Sequence, residues 1–459
     1  MKNGLRRFLG AGLLSVGAAA AHGQTCGEWI ITDKPVHEGA EVFPVLIAPL
    51  APDSAVAVRE VALGGGSGLL RMHWDGQFWT AVGVEPLGFS AAWDVRALHA
   101  NSLTDLWVAG LLQIDNFHGV PFLAHFDGQD WETHEGFLFE DPNPQAGDPI
   151  RTAEASEIVF IGPNDIWALG AGESPEKTVS CPVASHWDGS DLDESMPQIQ
   201  PVFGRINYFE AGSGIATDDV WIVGDGRNVT TTFRLLTYHW DGASWTPRTS
   251  WTQLPGSNSL QDGLRDVVAV GPDDVWAVGD KLILEGGTTR SVSLYLHWDG
   301  SGWHEVAGPD IGPLTSVAAV NANDLWASCG FGEFGGRLAH WDGTSWTEVP
   351  SAPIAGATHI GLTNLAADAG GGVWTVGYWA IYDGQGGWTV FENIIEHLSP
   401  GCDGDLDADG DVDLTDLSLM LSMFGSCEGE ESYNASADLD GSGCVELVDL
   451  SALLASFGG

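Results

Sequence analysis

The sequence predicts an all-β fold, a seven-bladed β-propeller of four-stranded blades, followed by a small α-helical module. Two short sequence elements alternate seven times along residues 43–395, and a period of this length is typical of propellers. A loop followed by a short helical pattern occurs twice in residues 401–459 and predicts the module.

The N-terminal residues have the pattern of an export signal. A basic start precedes an apolar run over residues 8–21, and small residues follow it. We expect residues 1–23 to be a signal peptide cleaved after Gly23, and residues 24–42 to form an N-terminal segment. A transmembrane anchor is the alternative, but the run is too short to span a bilayer. The protein is therefore expected to be secreted, in the bacterial exterior or attached to the cell surface.

The first repeated element is clearest at Asp266–Asp280, where two alternating strands flank the turn Gly-Pro-Asp-Asp. A degenerate copy near the start of the body puts Val56 where the other copies have tryptophan. The tryptophan recurs at Trp107, Trp167, Trp221, Trp276, Trp326 and Trp374.

The second element reads His-Trp-Asp-Gly-x-x-Trp, in which Asp-Gly is a strong signal for a tight turn between two strands. Together the two elements predict four strands for each repeat. The copies of the second element are His73–Trp79, His125–Trp131, His186–Leu192, His239–Trp245, His297–Trp303, His340–Trp346 and, weakly, Ile381–Trp388.

The body resembles secreted bacterial β-propeller proteins with kelch-like or Asp-box-like hairpins, although Asp-Gly-x-x-Trp is not a full Asp-box. An open β-solenoid is the alternative, and it would favour shorter and more uniform repeats. Both ends of the array carry complete repeats, so the sequence does not show how a ring would close. Glu28–Ile31 could add an outer strand.

The repeat decides how most tryptophan and histidine residues are interpreted. Seventeen of the 21 tryptophans fall in repeat positions and are expected to pack between blades. The recurrent histidines are spaced one per blade, so they cannot share a metal. The recurrent Asp ahead of each Trp is expected to be a turn residue.

Four tryptophans fall outside the repeat, and Trp29 is the first of them. Trp93, Trp251 and Trp379 are predicted to lie in connections on one propeller face, the face that usually carries ligands. We therefore predict that these three residues stack on a sugar or peptide ligand. Packing of the loops against the blades is the alternative.

The C-terminal duplication has the spacing of two calcium loops. Oxygen-bearing side chains occupy loop positions 1, 3, 5, 9 and 12, a glycine occupies position 6, and position 7 offers its backbone carbonyl. The two copies are 33 residues apart, and each is followed by a short apolar helical stripe ending in glycine. The sequence therefore predicts two Ca²⁺ sites, built from Asp405, Asp407, Asp409, Asp411, Asp413 and Asp416 in the first loop, and from Asp438, Asp440, Ser442, Cys444, Glu446 and Asp449 in the second.

These loops and helices resemble the type I dockerin family over residues 401–459. The resemblance implies docking onto a cohesin-like or cell-surface scaffold protein, in an assembly that degrades polysaccharides. Positions 10 and 11, where the family often has small hydroxyl residues for partner recognition, are Leu414-Thr415 and Leu447-Val448 here. The module also contains no Lys or Arg.

Charge and cysteine content agree with an exported, calcium-binding protein. The formal net charge of −46 argues against nucleic acid and anionic membranes as partners, since both need a basic surface. No segment after the N-terminal run is apolar enough to span a membrane. Three of the six cysteines lie in residues 401–459, so at least one disulfide is expected there.

No catalytic or organic-cofactor motif is recognised. The Gly-x-Gly-x-x-Gly match at Gly330–Gly335 lies between two predicted strands, where no helix could receive a phosphate. We therefore favour a non-catalytic binding or scaffold protein with a docking module. The alternative is a glycoside hydrolase or polysaccharide lyase with its site on the central face of the propeller.

Overall fold

In the computed structural model the chain divides into two compact units: Glu28–Pro400, here the propeller unit, and a second unit whose described residues all lie within Gly401–Gly459, here the C-terminal unit. Each unit is described by itself. The structure describes residues 29–32, 46–51, 53–63, 66–89, 91–115, 118–136, 152–173, 180–193, 206–227, 233–248, 262–330, 336–368, 370–382, 388–398, 404, 406, 412, 414–427, 429–430, 432–434, 437–439 and 442–455.

The propeller unit is all-β, and its strands begin and end close to the turns that the sequence predicts. The strands of the first half are β1 (Trp29–Ile31), β2 (Leu46–Ala51), β3 (Ser54–Leu63), β4 (Gly66–Trp74), β5 (Trp79–Glu85), β6 (Trp93–Ser102), β7 (Asp105–Gln113), β8 (Gly119–Phe126), β9 (Trp131–Glu135), β10 (Thr152–Gly162), β11 (Asp165–Glu173), β12 (Ser180–Trp187) and β13 (Leu192–Asp193). Those of the second half are β14 (Ile206–Ala216), β15 (Asp219–Arg227), β16 (Phe233–Trp240), β17 (Trp245–Pro247), β18 (Gly263–Gly271), β19 (Asp274–Glu285), β20 (Thr288–Trp298), β21 (Trp303–Glu305), β22 (Leu314–Asn321), β23 (Asp324–Cys329), β24 (Arg337–Trp341), β25 (Trp346–Pro350), β26 (His359–Ala367), β27 (Val373–Tyr382) and β28 (Trp388–Leu398).

Within the described residues these strands form four four-stranded sheets and one twelve-stranded sheet, in which short parallel pairings of β8 with β10 and of β12 with β14 join three groups. The seven antiparallel groups of four strands are called repeats 1 to 7. Repeats 1 to 6 are β2–β5, β6–β9, β10–β13, β14–β17, β18–β21 and β22–β25, and repeat 7 is β26–β28 together with β1. The first strands of successive repeats contact one another in chain order, and β2 of repeat 1 contacts β26 of repeat 7. The groups therefore surround a common centre, as in a β-propeller.

Repeat 7 closes the ring with a strand from the other end of the body. β1 pairs antiparallel with β28, so that Trp29 lies opposite Leu398. Thr32 follows this strand, is 3% exposed, and bonds in two directions. Its hydroxyl donates to the carbonyl of Ile395 in repeat 7 and accepts from the indole N–H of Trp79 in repeat 1. The outer strand anticipated at Glu28–Ile31 is thus present as Trp29–Ile31.

In repeat 7 the weakest copy of the second element lies at a different position from the one that the sequence predicts. Ile381–Trp388 was expected to connect a third strand to a fourth, but it spans the connection from β27 to β28. Trp388 pairs with Tyr382 at the start of the third strand, and the closing tryptophan of this repeat is Trp29. The reason is that the fourth strand comes from the N-terminal side of the body, so no Asp-Gly hairpin is needed.

Tryptophans of neighbouring repeats pack against one another within a core that is otherwise mostly aliphatic. Trp167 of repeat 3 packs against Trp240 and Trp245 of repeat 4, with ring centroids 5.3 and 5.5 Å apart. Trp374 of repeat 7 makes the same contacts with Trp74 and Trp79 of repeat 1, each at 6.0 Å. The interface that closes the ring is therefore built like the others, and these tryptophans pack sheet against sheet as the repeat predicts.

The C-terminal unit contains two short helices, α1 (Leu414–Met423) and α2 (Leu447–Ala455), at the two positions that the duplication predicts. Its core is formed by matching residues of the two copies, among them Val412 with Val445 and Met420 with Leu453. A disulfide joins Cys427 to Cys444, so the expected bridge is present, while Cys26 and Cys402 lie outside the described residues.

Candidate functional site

A cavity of about 400 Å³ lies at the centre of the propeller unit, where the first strands of all seven repeats meet. Six of these strands carry a β-bulge at the same level, and a bulge changes the direction in which successive side chains point. The bulged residues all line the cavity and are Arg96, Ser156, Glu210, Arg265, Thr315 and Thr363.

The glycine of the first element makes room for this bulge. Gly170 in β11 and Gly279 in β19 lie opposite the bulges of their repeats, and a Cβ atom at either position would clash with the backbone carbonyl of Glu154 or Gly263. The glycine three residues after the Trp of the first element is therefore needed in these repeats because two backbones approach closely there.

Both arginines of the cavity are held by carboxylates. Arg96 forms ion pairs with Glu154, with an N–O distance of 2.7 Å, and with Asp94, at 2.9 Å. Arg265 donates to Glu210 at 3.0 Å, an ion pair between repeats 5 and 4.

Asp280 lies 3.5 Å from the second guanidinium nitrogen of Arg265. Burial raises the pKa of Glu210, against the opposing effect of Arg265. Each arginine therefore faces two carboxylates, and the charged groups around the cavity are negative in sum.

Asp266 connects repeat 5 to repeat 6 from the edge of the cavity. One carboxylate oxygen accepts the backbone N–H of Val267 at 2.7 Å. The other accepts the hydroxyl of Ser316 at 2.6 Å and the backbone N–H of Val317 at 2.8 Å. Burial raises its pKa to about 6 although these donors lower it. Both oxygens are engaged, so Asp266 holds two repeats together.

Glu157 occupies the equivalent position of repeat 3 but has no such partners. Its carboxylate accepts the adjacent backbone N–H of Ile158, at 3.3 Å, and forms no ion pair in the described part of the chain. The position in repeat 4 that corresponds to Ser316 is Ala211, which offers no hydroxyl. Burial raises the pKa of Glu157 to about 8, and the nearby charge of Asp266 adds to the effect.

The recurrent histidines lie outside this cavity and each has a local partner. The Nε2 atom of His297 is 2.8 Å from Asp274, and its ring stacks on Trp276 with centroids 4.3 Å apart. Equivalent histidine–aspartate pairs occur in repeats 2, 3, 4 and 6. In these five repeats the Asp two residues before the Trp therefore orients a histidine of the next strand, a role beyond the turn that the sequence predicts.

The three tryptophans predicted to contact a ligand are not brought together among the described residues. Trp93 is 8% exposed and packs in the core cluster shared by repeats 1 and 2. Trp379 lies within β27, keeps part of its surface accessible, and packs in the cluster between repeats 6 and 7. Trp251 lies outside the described residues.

Half of the predicted calcium ligands can be placed in the C-terminal unit. Asp416 and Asp449, at position 12 of the two loops, are fully buried at the start of α1 and α2. Asp438 accepts the backbone N–H groups of Ser442 and Gly443, at 3.0 and 2.8 Å, so the second loop curls around its first residue.

The remaining two described ligand residues are Cys444 and Glu446. The Cys444 carbonyl accepts the Ser442 hydroxyl at 3.2 Å, and its side chain is in the disulfide. In the described part of the chain no three acidic, histidine or cysteine side chains are grouped to hold a metal. The predicted ligands outside the described residues are Asp405, Asp407, Asp409, Asp411, Asp413 and Asp440.

The helices of the C-terminal unit expose an apolar surface. The expected stripe divides: Leu417 and Met420 pack into the core, whereas Leu421 and Phe424 are exposed. Leu414 and Leu447, at loop position 10, are 72% and 70% exposed. The full set of exposed apolar side chains on the two helices and just after α1 is Leu414, Leu421, Phe424, Leu447, Val448 and Leu454.

Comparisons with known proteins give structural similarity alone. No protein-family model and no curated protein matches the chain. The six-bladed fungal lectin of Aleuria aurantia, described with a fucose recognition mode, is 15% identical, with a TM-score of 0.36 over 77% of this chain and 97% of that one.

Two further similar structures are a propeller domain of a protease and a glycoside hydrolase. The β-propeller domain of the Pyrococcus furiosus trilobed protease gives 10% identity and a TM-score of 0.42 over 76% of this chain and 98% of that one. The GH93 α-L-arabinofuranosidase of Fusarium graminearum gives 10% and 0.42, over 82% and 97%. These values are too low to assign the chain to a family.

No described helix is long and apolar enough to cross a membrane.

Proposed function

We propose that this is an exported, calcium-binding docking protein, in which a seven-bladed propeller binds a ligand and a dockerin-like module attaches it to a protein partner. The partner is a cohesin-like or cell-surface scaffold protein, in an assembly that acts on polysaccharides. The observation that carries the proposal is the pair of exposed leucines, Leu414 and Leu447, at equivalent positions of the two helices.

The described residues of the loops fit a hard cation. Asp416 and Asp449 are carboxylates with no exposed surface, and ionised carboxylates are costly to bury without a compensating charge. The Leu406 N–H donates to Asp416 at 2.6 Å and the Glu446 N–H to Asp449 at 2.7 Å, which fixes both side chains towards their loops. Ca²⁺ bound by the predicted oxygen ligands would offset the negative charge of these carboxylates.

Calcium is therefore expected to be required for the C-terminal unit to fold. Removing it with EGTA leaves the acidic side chains of each loop uncompensated, so α1 and α2 should unfold while the propeller unit keeps its strands. Circular dichroism and limited proteolysis of the full chain, with and without calcium, measure both parts. Helical signal and protease resistance that survive EGTA would contradict the proposal.

The docking surface is apolar and occurs twice. Leu414 and Leu421 lie seven residues apart and so face the same side of α1, and Leu447 and Leu454 do the same on α2. Side chains of this kind, half or more exposed on helices this short, indicate a surface that a partner covers. Because no lysine or arginine is present in the module, the partner is expected to bind through apolar contacts.

Binding of the full chain to a panel of immobilised cohesin modules tests the proposal. We expect calcium-dependent binding to at least one module, and a loss of at least tenfold in affinity for the double variant Leu414→Asp with Leu447→Asp. Leu284→Asp is the matched control, since Leu284 is 59% exposed on the propeller unit. Calcium-independent binding, no binding to any module, or equal affinity of the double variant would contradict docking through these helices.

A second candidate is a hydrolase acting on glycosidic bonds at the central cavity. It is favoured by Glu157, which lines the cavity and whose pKa is raised to about 8, since glycoside hydrolysis uses a protonated carboxyl group as its acid. Incubation of the full chain with a polysaccharide panel, followed by mass spectrometry, tests it. Products from the native protein but not from Glu157→Gln would support hydrolysis, and no products from either would exclude these substrates.

The stacking role predicted for three tryptophans can be tested separately from the central cavity. Trp379 retains accessible surface, Trp93 is buried in the core cluster of repeats 1 and 2, and Trp251 lies outside the described residues. Ala substitution should weaken polysaccharide binding without lowering the melting temperature if they stack on ligand. A lower melting temperature with unchanged binding would assign them to packing.

A further inference from the structure

The charges around the central cavity are unbalanced in a way that favours a cation. Arg96 and Arg265 are each matched by two carboxylates, so neither is left to attract an anion. Glu157 and Asp266 add two further acids to the lining. The chain as a whole has a formal net charge of −46, which further lowers the free energy of a cation near it.

Glu157 is the acid in this lining that the fold leaves available. Protein atoms surround it deeply, yet part of its side chain remains exposed to the cavity. Its equivalent, Asp266, engages one oxygen with the N–H of Val267 in its own repeat and the other with repeat 6, whereas Ala211 offers Glu157 no hydroxyl in repeat 4. A buried carboxylate without a counter-charge is unfavourable when ionised, and a bound cation would remove that cost.

We propose that the central cavity binds a primary ammonium group, with the Glu157 carboxylate as its counter-charge. The inference rests on the proposed function in taking the propeller as a ligand-binding domain, and it adds the site and the chemical class of ligand. A volume of about 400 Å³ accommodates a small molecule or the end of a chain. Hydroxyl and amide groups of Thr315, Thr363 and Asn364 line the same space and can bond the remaining polar atoms of such a ligand.

An ammonium fits this site better than the other candidates. An anion would be repelled by the net negative charge around the cavity, and an apolar ligand would leave the Glu157 carboxylate unpaired. An ammonium group donates up to three hydrogen bonds, to the carboxylate and to neighbouring hydroxyls. Two kinds of ligand carry it, an amino sugar and a simple amine.

Binding should depend on pH through Glu157. The charged and titratable groups that face it across the cavity are Arg96 and His99 on β6, Glu210 on β14, and Arg265 and Asp266 on β18. β2, β22 and β26 contribute uncharged residues to the lining. With the pKa of Glu157 raised to about 8, an ammonium that requires the ionised form must displace a proton below that pH. Affinity should therefore fall as pH falls from 8 to 6, by up to about tenfold per pH unit.

Isothermal titration calorimetry on the full chain with calcium tests the site. The probes are cadaverine, the disaccharide of glucosamine, and the disaccharide of N-acetylglucosamine, which lacks the ammonium charge. Cadaverine also serves for the pH series, because its amines stay protonated throughout. Glu157→Gln keeps the shape of the side chain, and Glu132→Gln, an exposed residue of β9, is the matched control.

We expect a charged probe to bind, the N-acetylated disaccharide to bind at least tenfold more weakly, and Glu157→Gln to lose at least tenfold in affinity while Glu132→Gln does not. Binding of the glucosamine disaccharide alone would identify an amino sugar, and equal binding of cadaverine would identify a simple amine. No binding of either charged probe, equal binding of the N-acetylated disaccharide, or unchanged affinity of Glu157→Gln would overturn the inference. Cohesin binding depends on the C-terminal unit, whereas calorimetry with these probes tests the cavity of the propeller unit. Failure of the proposed function and failure of this inference are therefore distinguishable.

Discussion

Repeats 3 and 5 of the propeller unit place an acid at the same point of the same bulged strand, with different consequences. Asp266 of repeat 5 receives three hydrogen bonds and joins its repeat to the next. Glu157 of repeat 3 receives one, from its neighbouring backbone N–H, and faces the cavity. The two positions differ in the length of the acid and in the next repeat, where Ser316 offers a hydroxyl and Ala211 does not. Equivalent strands of a repeated scaffold can thus hold one acid in a structural role and leave another facing the cavity.

Removing the two acids is the strongest test of this comparison. Asp266→Ala should lower the free energy of unfolding of the propeller unit by about 3 kcal/mol, because it leaves buried N–H and hydroxyl donors without partners. Glu157→Ala should change it by less than about 1 kcal/mol. Urea denaturation followed by tryptophan fluorescence measures both. Equal losses for the two variants would show that Glu157 is structural as well.

The pH dependence of stability should separate the same two groups. A carboxyl whose pKa is raised in the folded state binds its proton more tightly there, so stability falls as pH rises through the window between the unfolded and folded values. For Glu157 that window runs to about 8, and for Asp266 to about 6. Each pKa unit corresponds to about 1.4 kcal/mol.

Between pH 6 and 8 the native protein should therefore lose stability, and Glu157→Gln should lose less. Part of the fall remains in that variant because burial also raises the pKa of Glu396, in β28, to about 8. Glu396→Gln is the matched control for this second contribution. Thermal unfolding at several pH values is the measurement, and identical pH profiles for native protein and Glu157→Gln would contradict the raised pKa.

The smallest expected effect comes from restoring the missing hydroxyl. Ala211→Ser places in repeat 4 the group that Ser316 provides in repeat 6, so it should give Glu157 a donor and stabilise the protein by up to about 1 kcal/mol. The same change should weaken binding of cadaverine, since the carboxylate is then partly satisfied. Calorimetry with the native protein as reference measures both effects. Tighter cadaverine binding by this variant would show that the hydroxyl does not compete for Glu157.

Much of the propeller architecture could be predicted from the sequence because its turns and packing residues recur. Asp-Gly turns and the tryptophan positions define strand ends wherever both are present. Repeat 7 departs from the pattern since its third strand ends in Glu396-His397-Leu398, with His397 opposite Trp374, and its fourth strand is Trp29–Ile31. Because β1 pairs with β28 over a long sequence separation, no local pattern indicates that Trp29 belongs to repeat 7. Sequence reasoning therefore places Trp29 outside the repeat.

The cavity was harder to predict than the calcium loops. A calcium loop concentrates its ligands within twelve residues, so spacing alone identifies it. The cavity takes two to four residues from each of seven strands, and the chain has 63 acidic residues to choose from. A signal was nevertheless present: Glu157 and Asp266 each lie ten residues before the tryptophan of the first element, where repeats 2 and 4 have alanine.

The most direct test of the central claim is a pH titration of the glutamate side-chain carboxyl carbons by NMR, on the full chain with calcium. The signal that is absent from Glu157→Gln should titrate near pH 8 in the native protein, and its midpoint should move to lower pH when cadaverine is added. The signal assigned to Glu396 by Glu396→Gln should not respond to cadaverine. A Glu157 signal that titrates in the ordinary range of a glutamate, or that cadaverine leaves unchanged, would contradict the account.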